Sequence, residues 1–350
     1  MKRSLATVGA ATLMTLIVAA PAFACGGLVN PNGTVSLVKT TTLAGYRWGV
    51  EHYITSFKFD GGGAKFGSIV PIPAEPSKIR RGGDWTLKRL VEEVTPPPPQ
   101  PASSREDSAG GGEAEVVKEK VIDSVRVQIL KGGADQVGRW AKNNGFALPP
   151  DAPEVLDFYA KRSPYFMALR FIPEKAKESE KNKGDGVPIH LNIRVDNPWV
   201  PLRILSLGQS GSTVVEADVF LLTKNEPNLL PKPEKAGSSE GTILERSEQA
   251  SQSLLNDLRT DRVKKKGSMN WVHPKDMWFT YLKLNLDAKD LTYDLATNVR
   301  GGQPSKEDTG EGSRESRSGS SAPVLWTWGM ASMLGLAAIG LTNKLVSRGS

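Results

Sequence analysis

The sequence has very few of the residues that most often carry metal or acid–base chemistry. It contains one cysteine, Cys25, and three histidines, His52, His190 and His273. A single cysteine cannot form a disulfide within the chain, so the folded part must rely on its hydrophobic core. No second histidine or cysteine stands at the spacing of an HExxH or CxxC motif, which excludes the common zinc signatures. We therefore expect no metal and no cofactor.

Long uncharged apolar runs are also scarce, and the first of the two opens the chain. Two basic residues precede an apolar run, which is followed by the small-residue sequence Ala22-Phe23-Ala24. These are the three parts of a secretory signal peptide. We predict that residues 1–24 form a signal peptide, that cleavage falls between Ala24 and Cys25, and that the rest of the chain is exported.

Cys25 would then be the first residue of the mature chain, and three roles are open for it. A lipid-modified cysteine normally follows a leucine three residues earlier, where this sequence has Ala22, and single acyl chains anchor a protein only marginally. A nucleophilic thiolate needs a base or a positive charge, which the neighbouring Gly26 and Gly27 do not supply. Ordinary cleavage beside a small residue is our preferred interpretation, with lipidation and nucleophilic catalysis as alternatives.

The second apolar run covers residues 322–341. Its length of about 20 residues without a charge is what a helix needs to cross a bilayer. Trp326 and Trp328 suit the membrane interface, and the basic residues that follow mark the cytoplasmic side. The sequence predicts one transmembrane helix at 322–341, a cytoplasmic tail at 342–350, and a cell-membrane protein whose larger, N-terminal part is extracytoplasmic.

Composition divides the region between these two ends. Residues 25–302 have the balance of an ordinary folded domain. Two stretches interrupt this domain, a Pro/Gly/Ser-rich excursion at about 96–114 and a polar loop at about 174–186, and neither contains a pattern that could bury a core. Residues 303–321 contain almost no apolar side chains and predict a flexible stalk before the membrane.

The chain is basic, with a formal net charge of +7. Export removes nucleic acid as a partner, so we expect a protein partner or an anionic partner of the cell envelope, such as lipid head groups or acidic wall polymers. The densest basic spots are Arg80-Arg81 and Lys264-Lys265-Lys266. We interpret both as solvated loops.

Hydrophobic periodicity indicates both strands and helices. Alternation of apolar and polar residues predicts strands at 53–59, 125–129, 187–195, 215–221 and 281–284. Helical spacing predicts helices at 85–94 with Asp84 as the cap, 134–144 ending at Gly145, 151–159 with Asp151 and Glu154 as a capping pair, and more weakly 245–260. Most strands have one apolar face, which favours antiparallel pairing. The predicted fold class is α+β, with a few helices packed on antiparallel sheets.

Residues that could carry chemistry are present but form no complete motif. His190 shares a predicted strand face with Asn192 and Arg194, which is either the solvent face of the strand, our preferred interpretation, or the wall of a polar groove. Glu216 and Asp218 face the same way on another strand, either as an exposed pair, which we prefer, or as an acid–base pair.

Two serine motifs are also incomplete. Gly208–Ser212 approaches the nucleophile elbow of hydrolases but has Ser212 in place of the final glycine. Ser36–Lys39 matches SxxK, yet it lies in a strand-like run and no KTG motif follows.

Several segments spread over the predicted ectodomain resemble a bacterial family, the domain of unknown function 2330 family. They are CGG at 25–27, FGSIVPIP at 66–73, GRWAKNNGFALP at 138–149, SPYFMALRF at 163–171, WVPLRI at 199–204 and VEADVFLLT at 215–223. The resemblance implies an exported or membrane-tethered protein with no assigned activity, so it transfers no catalytic residue. Read on its own, the 66–73 segment predicts a core strand, and we expect Arg203 to be a paired residue.

The sequence thus predicts a surface module that binds a protein, a wall polymer or a lipid surface. The alternative is an extracytoplasmic hydrolase whose catalytic residues come together only in the folded chain, because such residues are defined by geometry and not by their order in sequence.

Overall fold

The computed structural model describes residues 27–29, 36–60, 66–95, 116–172, 186–209, 211–263, 266–267 and 269–310. The predicted signal peptide with Ala24 and Cys25, the transmembrane segment 322–341 and the excursion 96–114 lie outside these residues. Among the described residues, no helix has the length and apolar character needed to span a bilayer.

Strands dominate the described part of the chain. In chain order they are β1 Gly27–Val29, β2 Ser36–Arg47, β3 Val50–Asp60, β4 Phe66–Ile72, β5 Lys78–Arg81, β6 Val116–Ile122, β7 Val125–Lys131, β8 Tyr165–Phe171, β9 Ile189–Arg194, β10 Trp199–Val200, β11 Val214–Thr223, β12 Asn228–Leu230, β13 Glu234–Lys235, β14 Gly241–Gln249, β15 Arg262–Val263, β16 Lys266–Gly267, β17 Trp278–Asp287 and β18 Leu295–Asn298. The helices are α1 Asp84–Val94, α2 Ala134–Asn143, α3 Ala152–Ala160, α4 Gln252–Thr260 and α5 Lys306–Thr309, and a 3₁₀ turn spans Arg203–Ser206.

Two large sheets organise the fold. The main sheet has the strand order β13-β14-β17-β11-β2-β3-β9-β5, and the second sheet has the order β1-β4-β8-β7-β6. A three-stranded sheet, β10-β18-β12, and the β15-β16 pair are smaller. All pairs are antiparallel except β2 with β11 and β13 with β14, so the main sheet is mixed.

The two large sheets face each other, and helices cover their outer faces. Side chains of β3 and β9 on the main sheet share a buried cluster with side chains of β7 and β8 on the second sheet. Helices α1 and α4 pack on the opposite face of the main sheet. Helices α2 and α3 pack with β4 and β8, and their cluster continues to β11 and β17 through the segment around the 3₁₀ turn. The layer order is α1/α4, main sheet, second sheet, α2/α3.

The predicted α+β class is confirmed, but the expectation of one-sided antiparallel strands is wrong for the main sheet. Phe220 and Leu222 on one face of β11 are as buried as Val219 and Leu221 on the other, because helices cover one face and the second sheet or the 3₁₀ segment covers the other. The parallel β2–β11 pair joins strands that are far apart in sequence, as parallel pairing requires.

The helix predictions hold better in the middle of each helix than at its ends. Gly83 and not Asp84 is the N-cap of α1, and residues 245–249 belong to β14, so only the second half of the predicted 245–260 helix forms. Asp151 does precede α3, but its carboxylate accepts from the Gly208 amide at 3.0 and 3.1 Å and not from α3. The predicted capping pair is therefore absent.

Other segment predictions have clear outcomes. The 66–73 segment forms strand β4 of the second sheet, as expected. Arg203 is buried and its Nη2 donates to Glu154 Oε1 at 2.6 Å, so it is a paired residue. Gly208 follows a 3₁₀ turn instead of a strand, which is not the geometry of a nucleophile elbow. In the predicted stalk, Ser305 caps the short helix α5, and Thr309 is buried.

Candidate functional site

A two-residue turn carries the most exposed large apolar side chain of the described residues. Trp48 is 79% exposed and, with Gly49, connects β2 to β3. Both residues have positive φ angles, 54° and 72°, as in the tight hairpin turns that favour Asn-Gly. A bulky residue is conformationally costly there. Trp48 is thus both exposed and held in an unfavourable conformation, which points to a role other than stability.

Arginines surround this turn, which with its flanking residues we call the Trp48 tip (residues 47–50). The Arg47 guanidinium lies 3.8 Å from the centre of the Trp48 ring, and its Nη1 donates to the Trp271 carbonyl at 2.7 Å. Burial and, second, the charge of Arg259 lower the pKa of Arg47. Arg194 is exposed at the end of β9, in register with the first residue of β3. Positive charge is therefore concentrated around the tip.

Beneath the tip, Trp271 covers the main sheet. Its indole stacks on the His52 imidazole with a centroid distance of 4.2 Å and an interplanar angle of 10°. Gly45 is the residue opposite His52 on β2, and a Cβ there would lie 2.0 Å from Cη2 of Trp271. Only glycine lets the indole lie flat across both strands, and the result is a buried His52.

A chain of hydrogen bonds runs from the edge of the main sheet to His52. Arg80 Nη2 donates to Asn192 Oδ1 at 2.8 Å, and because a guanidinium only donates, this contact fixes the orientation of the amide. Asn192 Nδ2 then faces His52 Nδ1 at 3.4 Å, and His190 Nε2 lies 3.1 Å from the same nitrogen. Because Nδ2 of the amide can only donate, we assign His52 Nδ1 as the acceptor and, on that assignment, place the proton of His190 on Nε2 as a donor. We call these four residues the Arg80 cluster.

Electrostatics keep both histidines of the Arg80 cluster neutral. Burial and, second, the charge of Arg80 lower the pKa of His52 to about 3. Burial, Arg80 and then His52 lower the pKa of His190 well below its ordinary value. At neutral pH the cluster therefore contains one cation, Arg80, and two neutral imidazoles.

Two predictions about these residues are wrong. His190 is fully buried and does not lie on a solvent face, because Trp271 and the helical layer cover this face of the main sheet. Arg80 and Arg81 form strand β5 and not a solvated loop; Arg81 is buried and Arg80 is partly buried. Arg194 is exposed, as expected for the predicted strand face.

The cluster lacks the partners of a nucleophilic enzyme. Among the described residues, no serine, cysteine or carboxylate side chain is hydrogen-bonded to His52 or His190, and no group of three potential ligands is placed to hold a metal ion. The third histidine, His273, lies apart and accepts from the Lys275 and Asp276 amides. Within the described part of the chain, the two histidines are therefore hydrogen-bonded only to each other and to the Asn192 amide.

The preferred interpretation of Glu216 and Asp218 as an exposed pair is wrong for Asp218. Asp218 is buried, accepts from the Tyr281 hydroxyl at 3.0 Å and pairs with Lys39 Nζ at 2.7 Å, whereas Glu216 is exposed. Lys39 is the lysine of the predicted SxxK match, and it is engaged by this ion pair on strand β2. Both motifs are thus accounted for by ordinary strand structure.

On the opposite face of the main sheet, Glu51 is completely buried without a cation. Its Oε1 accepts from the Trp199 amide at 3.2 Å, and Oε2 has no partner among the described residues. Burial raises the pKa of Glu51 to about 8. This carboxyl group is therefore mostly protonated at neutral pH.

Sequence reasoning missed the Trp48 tip and found only part of the Arg80 cluster. The tip had a local signal, because Trp48-Gly49 stands between two strand patterns. For the cluster, the sequence offered His190 and Asn192 as the possible wall of a polar groove. It could not add Arg80, because Arg80 and Asn192 are separated by 112 positions and meet only through the β5–β9 register.

Comparisons with known proteins give a family and no activity. A family model described as "Uncharacterized protein conserved in bacteria (DUF2330)" matches residues 18–228. No curated protein matches the chain. Among solved structures, baculovirus P35 is similar with a TM-score of 0.37 and 11% identity, covering 75% of this chain and 94% of that one. P35 in its complex with caspase-8 has a TM-score of 0.32 and 10% identity, covering 75% and 90%. These scores are too low to indicate a common fold or function.

Proposed function

Because the chain belongs to DUF2330, a bacterial family of uncharacterised proteins, we propose its function from its own geometry: it is a membrane-tethered extracytoplasmic module whose Trp48 tip docks on an anionic bilayer surface. Of the partners that the sequence left open, the lipid surface fits best. The observation that supports it most is Trp48 itself, 79% exposed in a conformation that disfavours tryptophan.

The chemistry of the tip suits a bilayer interface. Tryptophan is enriched at the level of the lipid head groups because its ring is amphipathic, and each basic residue near an anionic surface adds about 1 kcal/mol of attraction. Arg47 and Arg194 supply that charge beside Trp48. Asp196, a carboxylate near the tip, is paired with Arg300, whose Nη2 donates to it at 2.8 Å.

The C-terminal end of the described residues also lies on the side of the tip. The Tyr46 hydroxyl, next to the tip, donates to the Asp196 carbonyl at 2.7 Å. The residues that follow Asp196 line a surface pocket of about 360 Å³ together with Glu307 and Asp308, close to where the described chain ends. Residues 311–321 of the predicted stalk, about 11 residues, span up to about 36 Å when extended. Such a tether lets the tip reach the bilayer that anchors the chain.

Quenching of Trp48 by lipid tests this proposal. The full chain is reconstituted into phosphatidylcholine vesicles with or without phosphatidylglycerol, each containing a brominated lipid that quenches tryptophan. The emission of the Trp48→Phe variant, subtracted from that of the wild type, isolates Trp48. We expect quenching with phosphatidylglycerol only, and its relief by added salt, which screens exposed charges.

Val214 provides a matched control. It is the other exposed large apolar residue among those described, at 54%. Because β11 runs parallel to β2, with Leu222 opposite Gly45, Val214 lies at the end of the main sheet away from the tip. Val214→Ala should leave the Trp48 signal unchanged, whereas Arg194→Gln should weaken it. Equal quenching in both vesicle types, or none in either, would refute docking on anionic lipid.

A further inference from the structure

Arg80 carries a positive charge that nothing in the described structure neutralises. It is partly buried, burial lowers its pKa, and no carboxylate among the described residues pairs with it. A desolvated charge without a counter-ion is costly. Arginine cannot escape this cost by losing its proton, because its pKa in water is above 12. Solvent on the exposed side of Arg80 compensates part of this cost, and an anion from outside the described residues would compensate the charge itself.

The surroundings of Arg80 repel cations and offer no competing anion. Lys78 on the edge strand β5 and Arg194 on its neighbour β9 lie on the same face of the main sheet as Arg80. The other side chains of that face on these two strands are His190 and Asn192. All of these are positive or neutral. Lys78 and Arg194 are exposed, and Arg80 and Asn192 are partly exposed. Solvent therefore reaches one side of Arg80, while the histidines close the other.

Two buried polar atoms of the cluster have no partner among the described residues. They are Nε of Arg80, which is a donor, and Nδ1 of His190, which is an acceptor because the proton of that imidazole is on Nε2. Arg80 and His190 are directly opposite each other in the β5–β9 register, which places their Cβ atoms about 5 Å apart. The cluster thus contains a donor and an acceptor that are both buried and unsatisfied, next to a positive charge that has no counter-ion among the described residues.

We propose that the Arg80 cluster is a binding site for inorganic phosphate in its hydrogen-phosphate form. An ionised oxygen of the phosphate accepts from the Arg80 guanidinium and neutralises its charge, and the P–OH group donates to His190 Nδ1. A water molecule would serve the two polar atoms but leave the charge. Sulfate would neutralise the charge but has no proton for His190. This inference does not depend on the docking of the Trp48 tip.

Calorimetric titration of inorganic phosphate into the full chain at neutral pH tests the site. We expect saturable binding that Arg80→Met weakens at least about 10-fold, the typical effect of losing a charged hydrogen bond. Sulfate should bind at least about 10-fold more weakly than phosphate, because a site that contains an unpaired acceptor discriminates against a ligand without the matching donor. Arg139→Met, which removes an exposed arginine on α2, serves as the control and should bind like the wild type.

Arg80→Lys and a spectroscopic readout keep the test decisive if Arg80→Met fails to fold. Lysine preserves the charge but has no Nε–H donor at that position, so it should also weaken phosphate binding. In the wild type, phosphate should shift the imidazole ¹⁵N resonances of His190 and leave those of His273 in place. Absence of phosphate binding, equal affinity for sulfate, or phosphate binding that survives loss of the Arg80 side chain would each overturn the proposal.

Discussion

Arg80 and Arg81 are neighbours on strand β5, but their side chains lie on opposite faces of the main sheet and have different partners. Arg81 points towards the second sheet and its Nε donates to the buried carboxylate of Asp123. Arg80 points to the helical side and meets an amide and two neutral imidazoles. The inner face provides its own counter-ion, whereas the outer face does not. An uncompensated arginine at a partly exposed position is a better indicator of a binding site than a basic residue as such.

Glu51 extends this comparison to the opposite charge. It too is buried without a counter-ion, but a carboxyl group can become neutral by taking up a proton, and burial raises the pKa of Glu51 to about 8. An arginine has no such route at physiological pH. Glu51 therefore avoids an isolated charge by binding a proton, whereas Arg80 keeps its charge with no counter-ion among the described residues.

The most destructive change should be loss of the inner counter-ion. Asp123→Asn keeps a residue that tolerates the positive φ of 50° at this position, but it removes the carboxylate charge to which the buried Arg81 donates. We expect the free energy of unfolding to fall by about 3–5 kcal/mol, measured by urea denaturation. Asp196→Asn breaks an ion pair whose side chains are 57% and 86% exposed, and because solvent screens such a pair it should change stability far less. Similar losses of stability in the two variants would contradict the expected difference between a buried and an exposed ion pair.

Glu51 should make stability depend on pH. Its pKa is raised from 4.5 to about 8 in the folded chain, so the unfolded state releases the proton first and stability falls as pH rises between those values. Glu51→Gln should remove a loss of about 3 kcal/mol between pH 4.5 and pH 7. Denaturation of the wild type and of Glu51→Gln across this pH range gives the difference between their free energies of unfolding. If that difference did not change with pH, Glu51 would be ionised in the folded chain.

A substitution at Gly45 tests how Trp271 packs over His52 on the outer face of the main sheet. Gly45→Ala places a methyl group where the Trp271 indole lies and should cost about 1–3 kcal/mol, as overpacking does. It should also displace the indole from His52, which a change in the His52 imidazole NMR signals would report. Unchanged signals together with full stability would mean that Trp271 does not lie on Gly45.

Arg80→Met should have only a small effect on folding. Loss of the uncompensated charge should stabilise the fold, and loss of the hydrogen bond to Asn192 should destabilise it. We expect the free energy of unfolding, measured by denaturation without phosphate, to change by no more than about 1 kcal/mol. A loss comparable to that of Asp123→Asn would show that Arg80 is a structural residue like Arg81.

The smallest effect should come from the tip, and it should be stabilising. Trp48→Asn installs a residue that tolerates the left-handed conformation and should raise the free energy of unfolding by about 0.5–1 kcal/mol, while Trp48-dependent docking is lost. Denaturation of the variant beside Trp48→Ala separates the conformational gain from simple removal of the indole. Destabilisation by Trp48→Asn would indicate that Trp48 supports the fold.

Local patterns predicted much of this fold, and long-range register decided the rest. The strands at 125–129 and 281–284 and the helices at 85–94 and 134–144 follow from periodicity within a few residues. His190 was misplaced because its alternation with apolar neighbours fits a half-exposed strand, whereas the buried face on which it meets His52 forms only through the β3–β9 register. Among the described residues, no carboxylate pairs with Arg80, and this is a property of three strands together that no local pattern encodes.

The central claim is that Arg80, which has no counter-ion among the residues that the structure describes, takes one from solution. An experimental structure of the full chain determined in phosphate tests this most directly. We predict a tetrahedral anion with an oxygen at hydrogen-bonding distance from the Arg80 guanidinium and a second oxygen directed at His190 Nδ1. A carboxylate of the chain itself against Arg80, or water alone at that position, would contradict the account.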